Sequence, residues 1–331
     1  MNFVLLLASF AVILAGALLF TNAVEWIGHR LDLGEGAVGS LLAAVGTAMP
    51  ETLIAVVALI EGTKNEDVAI GAIVGAPFLL ATLAMGLVGV TAYVYRRRRP
   101  QGVYLEADVR TLDRDLVFFL VFFALALALG LGAPTEVRIP AGLAFIAAYP
   151  AYAWLTLAQG GEAQPAETLN PLIMSRGSGG RAAEPTMATA VTQFLVGLAA
   201  MVGGAHLFVE ELLNVAGDLG VEAIVLSLIL APLATELPEK VNSFFWVREG
   251  KDSLALGNIT GAMVFQSTIP VGIGLLFTDW DLAGNAAVSV GLGLAGGVIA
   301  YWALRLRDRF ELLPGLVWIG LYAAFIFVVV V

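Results

Sequence analysis

The sequence contains no cysteine and only two histidines among its 331 residues. The lack of cysteine excludes disulfides, zinc sites built on thiolates and cysteine nucleophiles. Charged residues are also scarce, at 13% of the chain, whereas a soluble domain has about a quarter. Phosphate-binding loops, the H-E-x-x-H zinc motif and serine nucleophile motifs are missing too, so nothing in the residues indicates an enzyme, an ATP-driven machine or a bound cofactor.

Hydrophobic residues, in contrast, make up 59% of the chain. A soluble core could not cover that much apolar surface, so we expect the lipid bilayer to be the solvent. A membrane-spanning helix needs about 20 apolar residues. The sequence predicts an all-α membrane protein with ten transmembrane helices, at residues 3–28, 36–60, 67–95, 115–132, 138–158, 188–216, 221–247, 253–277, 282–304 and 312–331.

The basic residues predict the orientation of these helices, because cytoplasmic loops are enriched in Lys and Arg. With both termini outside, the cytoplasmic loops hold 14 of the 17 basic residues, including the run Arg96–Arg99. We therefore interpret that run as a topology signal rather than as a nucleic-acid-binding patch. The predicted location is the inner or plasma membrane, and the expected partners are the lipid bilayer and small inorganic cations.

Two halves of the chain share a series of motifs. GTAMPETL in the first half matches ATELPEKV in the second, so that Glu51 aligns with Glu239 at an offset of 188 residues. Five helices in each half start the two halves on opposite sides, which predicts inverted repeats, an arrangement of many secondary transporters. The predicted units are a first repeat at residues 1–158, a cytoplasmic linker at 159–187 and a second repeat at 188–331.

Carboxylates lie in the middle of two predicted helices, where a charge is costly and is usually functional. Glu51 and Glu239 each follow a proline, Pro50 and Pro238, at which we expect the helix to be interrupted. A proline frees a backbone carbonyl, and carbonyls beside a carboxylate are hard oxygen ligands that suit sodium or calcium. We expect Glu51 and Glu239 to approach each other and to hold the metal ion.

Four further polar residues accompany these carboxylates, all of them in the second half. Asn258 and Gln266 are eight residues apart on one predicted helix and can share a face. Glu236 and Lys240 are four residues apart, in the order that favours an ion pair on a helix. Lys240 either neutralises Glu236 or replaces a bound cation in part of a transport cycle, and the sequence leaves both alternatives open.

At GTAMPETL and ATELPEKV the sequence resembles the cation/calcium exchanger superfamily, especially prokaryotic sodium/calcium antiporter-like proteins. The resemblance covers nearly the whole chain. It implies a ten-helix inverted-repeat fold and a secondary antiporter that exchanges Ca²⁺ against Na⁺ or H⁺ by alternating access. It also implies that Thr47 and Thr235 bind cations together with the two signature glutamates, which makes the cations cargo rather than cofactors.

The sequence departs from the family pattern at several positions. The family often places Asn or Asp where this chain has Leu80 and Gln266, and Ser where it has Ala48 and Glu236. The loss of oxygen ligands favours, as an alternative, a monovalent Na⁺/H⁺ exchanger. A channel or a membrane protein that transports nothing is the alternative from a different class.

Overall fold

A computed structural model of the chain describes residues 2–30, 44–62, 65–106, 109–158, 169–175, 185–250, 252–307 and 312–330. All regular elements in these ranges are helical, which confirms the all-α prediction for the described part of the chain. The helices are α1 (Asn2–Arg30), α2 (Ala44–Glu61), α3 (Glu66–Leu79), α4 (Met85–Val94), α5 (Val109–Gly130), α6 (Thr135–Ala158), α7 (Met187–Leu219), α8 (Ala223–Arg248), α9 (Asp252–Gln266), α10 (Ile269–Phe277), α11 (Gly284–Arg307) and α12 (Leu312–Val330).

Six helical stretches in the described ranges are long and apolar enough to cross a membrane. They are Asn2–Arg30, Glu66–Val94, Thr135–Thr156, Met187–Leu219, Ala255–Phe277 and Gly284–Arg305. The second and fifth of these are mostly buried inside the protein, so they form its centre and the others surround them. In the described ranges this criterion identifies fewer spans than the ten that the sequence predicts, so the ten-span topology stays a prediction.

The helices continue through the two signature prolines, and the predicted interruptions there are wrong. Pro50 lies inside α2, and residue 238 lies inside α8. A proline removes only its own N–H bond, and neighbouring groups in a membrane protein can satisfy the freed carbonyl. The irregular backbone lies elsewhere, in a π-helical turn at Leu80–Ala84 between α3 and α4 and in a break at residues 267–268 between α9 and α10.

Glycines allow two pairs of helices to pack closely across the halves. A Cβ atom added at Gly16 of α1 would lie 2.8 Å from the Gly197 carbonyl oxygen of α7. A Cβ atom at Gly75 of α3 would lie 2.7 Å from the Leu228 carbonyl oxygen of α8, and Gly71 is as crowded. Only glycine fits these contacts, so the glycines of α1 and α3 allow the helix backbones to approach closely.

One member of the arginine run joins the two halves of the chain. The Arg99 guanidinium forms a bidentate ion pair with Asp252, the first residue of α9, with both N–O distances at 2.8 Å. It also donates to the carbonyls of Gly102, Tyr104 and Val247. Both charged side chains are buried. Arg99 is thus a structural clamp, and the orientation that its run predicts stays a prediction.

Part of the predicted linker is folded against the ends of α1 and α7. The Asn170 carbonyl accepts hydrogen bonds from Trp26 Nε1 at 2.9 Å and from Asn22 Nδ2 at 3.3 Å. The Met174 N–H donates to Gln193 of α7 at 2.8 Å. Leu172 is 1% exposed. Residues 169–175 therefore belong to the packed body of the protein.

Candidate cation-binding site

The predicted site residues lie on three helices, α2, α8 and α9, which contact one another. Glu51 of α2 is buried, with 3% of its surface exposed. The neighbouring Thr52 hydroxyl donates to the Ala48 carbonyl at 2.9 Å, inside the same helix. The first signature therefore places its carboxylate in the protein interior, as the sequence predicts.

The second signature places two polar residues in a fully buried position on α8. Thr235 and Glu236 are both 0% exposed. The Thr235 hydroxyl donates to the Ala231 carbonyl at 2.7 Å, which leaves its oxygen lone pairs to accept or to coordinate. Glu236 accepts a hydrogen bond from the Gln266 Nε2 group of α9. The structure thus brings Glu236 and Gln266 together, although they are 30 residues apart in sequence.

Gln266 also presents an acceptor oxygen toward this interior. Its side chain is 1% exposed, and its Oε1 atom has no hydrogen-bond partner among the described residues. Nearly all buried polar atoms in proteins have a partner, so an exception indicates a site for water or an ion. An amide oxygen next to a buried carboxylate is a suitable ligand for a hard cation.

Asn258 lies on α9 with Gln266, but its described hydrogen bond points to a residue that the sequence analysis missed. Its Nδ2 group donates to the Ser243 hydroxyl of α8 at 3.2 Å. Ser243 is 0% exposed. It follows Glu236 by seven residues, a spacing that places both on one face of a helix. That spacing was the available signal for Ser243.

Three predicted site residues, Thr47, Glu239 and Lys240, have side chains outside the described part of the structure. Their approach to Glu51 and the predicted pair of Lys240 with Glu236 therefore stay predictions. Among the side chains that are described, no group of three or more His, Asp or Glu residues could hold a metal ion. The described part of the site consists of separate carboxylates combined with neutral oxygens.

A further buried carboxylate, Asp115 of α5, was not predicted. It is 1% exposed. Its Oδ1 atom accepts from the Tyr152 hydroxyl of α6 at 2.9 Å and from Arg114 Nη2 at 3.0 Å, and its Oδ2 atom accepts from the Thr260 hydroxyl of α9 at 2.8 Å. The predicted fourth helix begins at Asp115, which would put this residue at the membrane edge. In the structure the helix begins at Val109, so Asp115 lies more than one turn further in and is buried.

Known proteins, among them the following two, resemble this chain in sequence over most of its length. The putative antiporter CaxA of Alkalimonas amylolytica is 24% identical over 289 residues, which cover 87% of this chain and 84% of that protein. The sodium/calcium exchanger MaX1 of Methanosarcina acetivorans is 24% identical, with 85% of each chain covered.

The fold is also similar to that of solved structures. The H⁺/Ca²⁺ exchanger CAX superimposes with a TM-score of 0.77 at 18% identity, over 98% of this chain and 82% of that one. The sodium-calcium exchanger NCX_Mj superimposes with a TM-score of 0.63 at 19% identity, over 98% of this chain and 97% of that one. The model of the family described as sodium/calcium exchanger protein matches residues 1–158 and 189–331. This chain therefore belongs to the sodium/calcium exchanger protein family.

Proposed function

We propose that this chain is a secondary active antiporter that moves Ca²⁺ against Na⁺ or H⁺ across a cell membrane. The observation that carries the proposal is the pair of buried carboxylates on helices in contact, Glu51 on α2 and Glu236 on α8. Beside Glu236 lies the Gln266 Oε1 atom, which has no hydrogen-bond partner in the described part of the chain. Family membership supports the same conclusion, as does the similarity to proteins named as exchangers of these ions.

The chemistry of the side chains favours a hard cation as the cargo. A charged side chain at the centre of the membrane costs about 2.5–3.5 kcal/mol on insertion scales, so charged residues found there usually have a function. Ca²⁺ takes about six to eight oxygen ligands from carboxylates, amides and carbonyls. We assign Glu51 and Glu239 as the charged ligands, and Thr47, Thr235, Glu236, Asn258 and Gln266 as the residues that complete or support the site.

The helix contacts support an inverted-repeat architecture with ten spans. Numbering the spans in order, α1 packs on α7 as the first on the sixth, and α5 packs on α11 as the fourth on the ninth. The contact of α6 with α10 joins the fifth span to the eighth, and that of α4 with α12 joins the third to the tenth. These pairs are what a twofold exchange of the halves generates. Such symmetry would permit alternating access. The distribution of basic residues supports an orientation with both termini outside.

A Na⁺/H⁺ exchanger is the second candidate, and one residue favours it. Leu80, at the start of the π-helical turn, is 0% exposed and apolar. The resemblance would place an oxygen ligand there, and its loss leaves fewer ligands for a divalent ion. A monovalent ion needs fewer charged ligands, so this candidate predicts Na⁺ movement without Ca²⁺ movement.

Purified protein in liposomes provides the test. We expect radiolabelled Ca²⁺ to enter when an opposing Na⁺ or H⁺ gradient is imposed. Glu51→Gln should abolish that uptake and still elute as a single species in size-exclusion chromatography. Glu210→Gln, which changes an exposed carboxylate on α7, is the matched control and should transport normally.

Each other outcome of this experiment contradicts a specific part of the proposal. Na⁺/H⁺ exchange without Ca²⁺ movement would establish the second candidate instead. Flux that requires no counter-ion would indicate a channel, and no flux of any cation would indicate a protein that does not transport. Full uptake by Glu51→Gln would remove Glu51 from the binding site.

A further inference from the structure

Asp115 is a buried charge that the cation site as described does not use. It joins three helices, because it receives hydrogen bonds from Tyr152 of α6 and Thr260 of α9 while lying on α5. The cost of a carboxylate at such a position indicates a function.

A second observation comes from Tyr149, one turn before Tyr152 on α6. Its ring centroid lies 5.8 Å from that of Tyr152, and its side chain is more than nine-tenths buried. Its hydroxyl has no hydrogen-bond partner among the described residues. The region beside Asp115 therefore contains a buried polar atom that a water molecule or a proton carrier would satisfy.

This region is continuous with the candidate cation site. Tyr149 and Tyr152 pack in one cluster with Ala48 of α2 and Phe265 of α9. Ala48 precedes Glu51 by three residues, and positions with that spacing are neighbours on a helix surface. Phe265 adjoins Gln266 in the chain. Asp115 thus contacts α9 directly through Thr260, and it is connected to α2 through Tyr152 and the cluster that contains Ala48.

The surroundings of Asp115 favour a proton over a metal cation. Among the described residues, the charged and titratable groups that face it are Arg114 on its own helix and Tyr149 and Tyr152 on α6, while α9 contributes the uncharged Thr260. On α11, Arg305 is bonded to Asp113 instead. The Arg114 guanidinium, 3.0 Å away, would repel a metal ion, whereas a proton needs no shell of ligands. Arg114 is 12% exposed, so the pair lies near solvent.

We propose that Asp115 is the residue that carries the proton when this antiporter exchanges Ca²⁺ for H⁺, an inference that rests on the proposed function. The carboxylate takes a proton from a hydronium ion and leaves a water molecule, and the reverse step returns the proton to water. The proton is bound while the cation site is empty and is released when a cation binds. Protonation weakens the ion pair with Arg114 and removes an acceptor, which changes the restraint that Asp115 places on α9 through Thr260.

The test separates proton coupling from cation binding in liposomes that contain the purified protein. We expect Asp115→Asn to lose Ca²⁺ uptake driven by a pH gradient, and to keep exchange of radiolabelled for unlabelled Ca²⁺ at equal pH, a reaction that moves no net proton. Asp113→Asn, two residues away in an exposed ion pair, is the matched control and should keep both reactions. Thr260→Val keeps the carboxylate but removes the hydrogen bond through which protonation acts on α9, so it should weaken pH-driven uptake and leave exchange at equal pH intact.

Each remaining result overturns the inference in an identifiable way. Uptake driven by the pH gradient in Asp115→Asn would show that the proton binds elsewhere. Loss of both reactions would show that Asp115 only maintains the structure. Wild-type protein that uses Na⁺ but not H⁺ would refute the inference while the antiporter proposal stands, and wild-type protein without Ca²⁺ exchange would refute both.

Discussion

Replacing Arg99 with methionine should destabilise the protein more than any change elsewhere in the arginine run. The substitution leaves Asp252 buried without its guanidinium, and it removes the donors to the carbonyls of Gly102, Tyr104 and Val247. The side chains of the pair are 0% and 1% exposed, so water cannot replace the guanidinium as the partner of Asp252. Removing one partner of a buried ion pair costs about 3–5 kcal/mol. We expect the free energy of unfolding to fall by that amount.

Unfolding by dodecyl sulfate in mixed micelles, followed by tryptophan fluorescence, would measure this loss. Arg98→Met is the control, because Arg98 is exposed in the same run and should change stability by at most about 0.5 kcal/mol. Arg99→Met combined with Asp252→Leu should recover part of the loss, since the double variant leaves no unpaired charge. Equal stability of Arg99→Met and Arg98→Met would refute the reasoning that Arg99 clamps the first half to the start of α9.

Three other outcomes follow from the structure and the sequence. Gly75→Ala should cost about 1–3 kcal/mol in the same unfolding assay, because its Cβ would lie 2.7 Å from the Leu228 carbonyl oxygen. Gly257→Ala, where an added Cβ meets no described atom within 4 Å, should instead be neutral or slightly stabilising, and equal effects would contradict the packing argument. If Lys240 pairs with Glu236, Lys240→Met should impair transport, and the additional change Glu236→Gln should restore it. A Lys240→Met variant that binds cations more tightly than wild type would exclude the pair. Single cysteines, introduced after the arginine run and at the C-terminus of this cysteine-free chain, should react with impermeant reagents from the cytoplasmic and outer faces respectively, and labelling from the same face would contradict the ten-span topology.

Helix positions could be predicted because a bilayer imposes a minimum length of apolar chain on every span. The site glutamates could be found for a related reason, since a charge in such a stretch stands out. Glu51 and Glu236 are indeed buried, and Gln266 does meet Glu236. Periodicity and charge therefore predicted that these side chains are internal, while their role as cation ligands stays a proposal.

The features that the sequence analysis missed depend on which of several similar residues turns inward. Four consecutive arginines look alike in the sequence, yet Arg99 is buried in an ion pair while Arg97 and Arg98 are exposed. Asp115 follows Arg110 and Arg114 closely, so the sequence around it is typical of the charged end of a helix. Only the packing of α5 against α6 and α9 shows that this carboxylate is internal. Long-range contacts of this kind leave no periodic signal.

The two halves also differ at the position where both have an irregular backbone. In the first half, the π-helical turn begins at the apolar residue Leu80. In the second half, the helix ends at Gln266, whose amide contacts Glu236. If the halves exchange conformations during transport, as we propose, identical halves would make the two access states equal in energy. Because one half carries an amide where the other carries a leucine, the states that open to the two faces would then not be equal in energy.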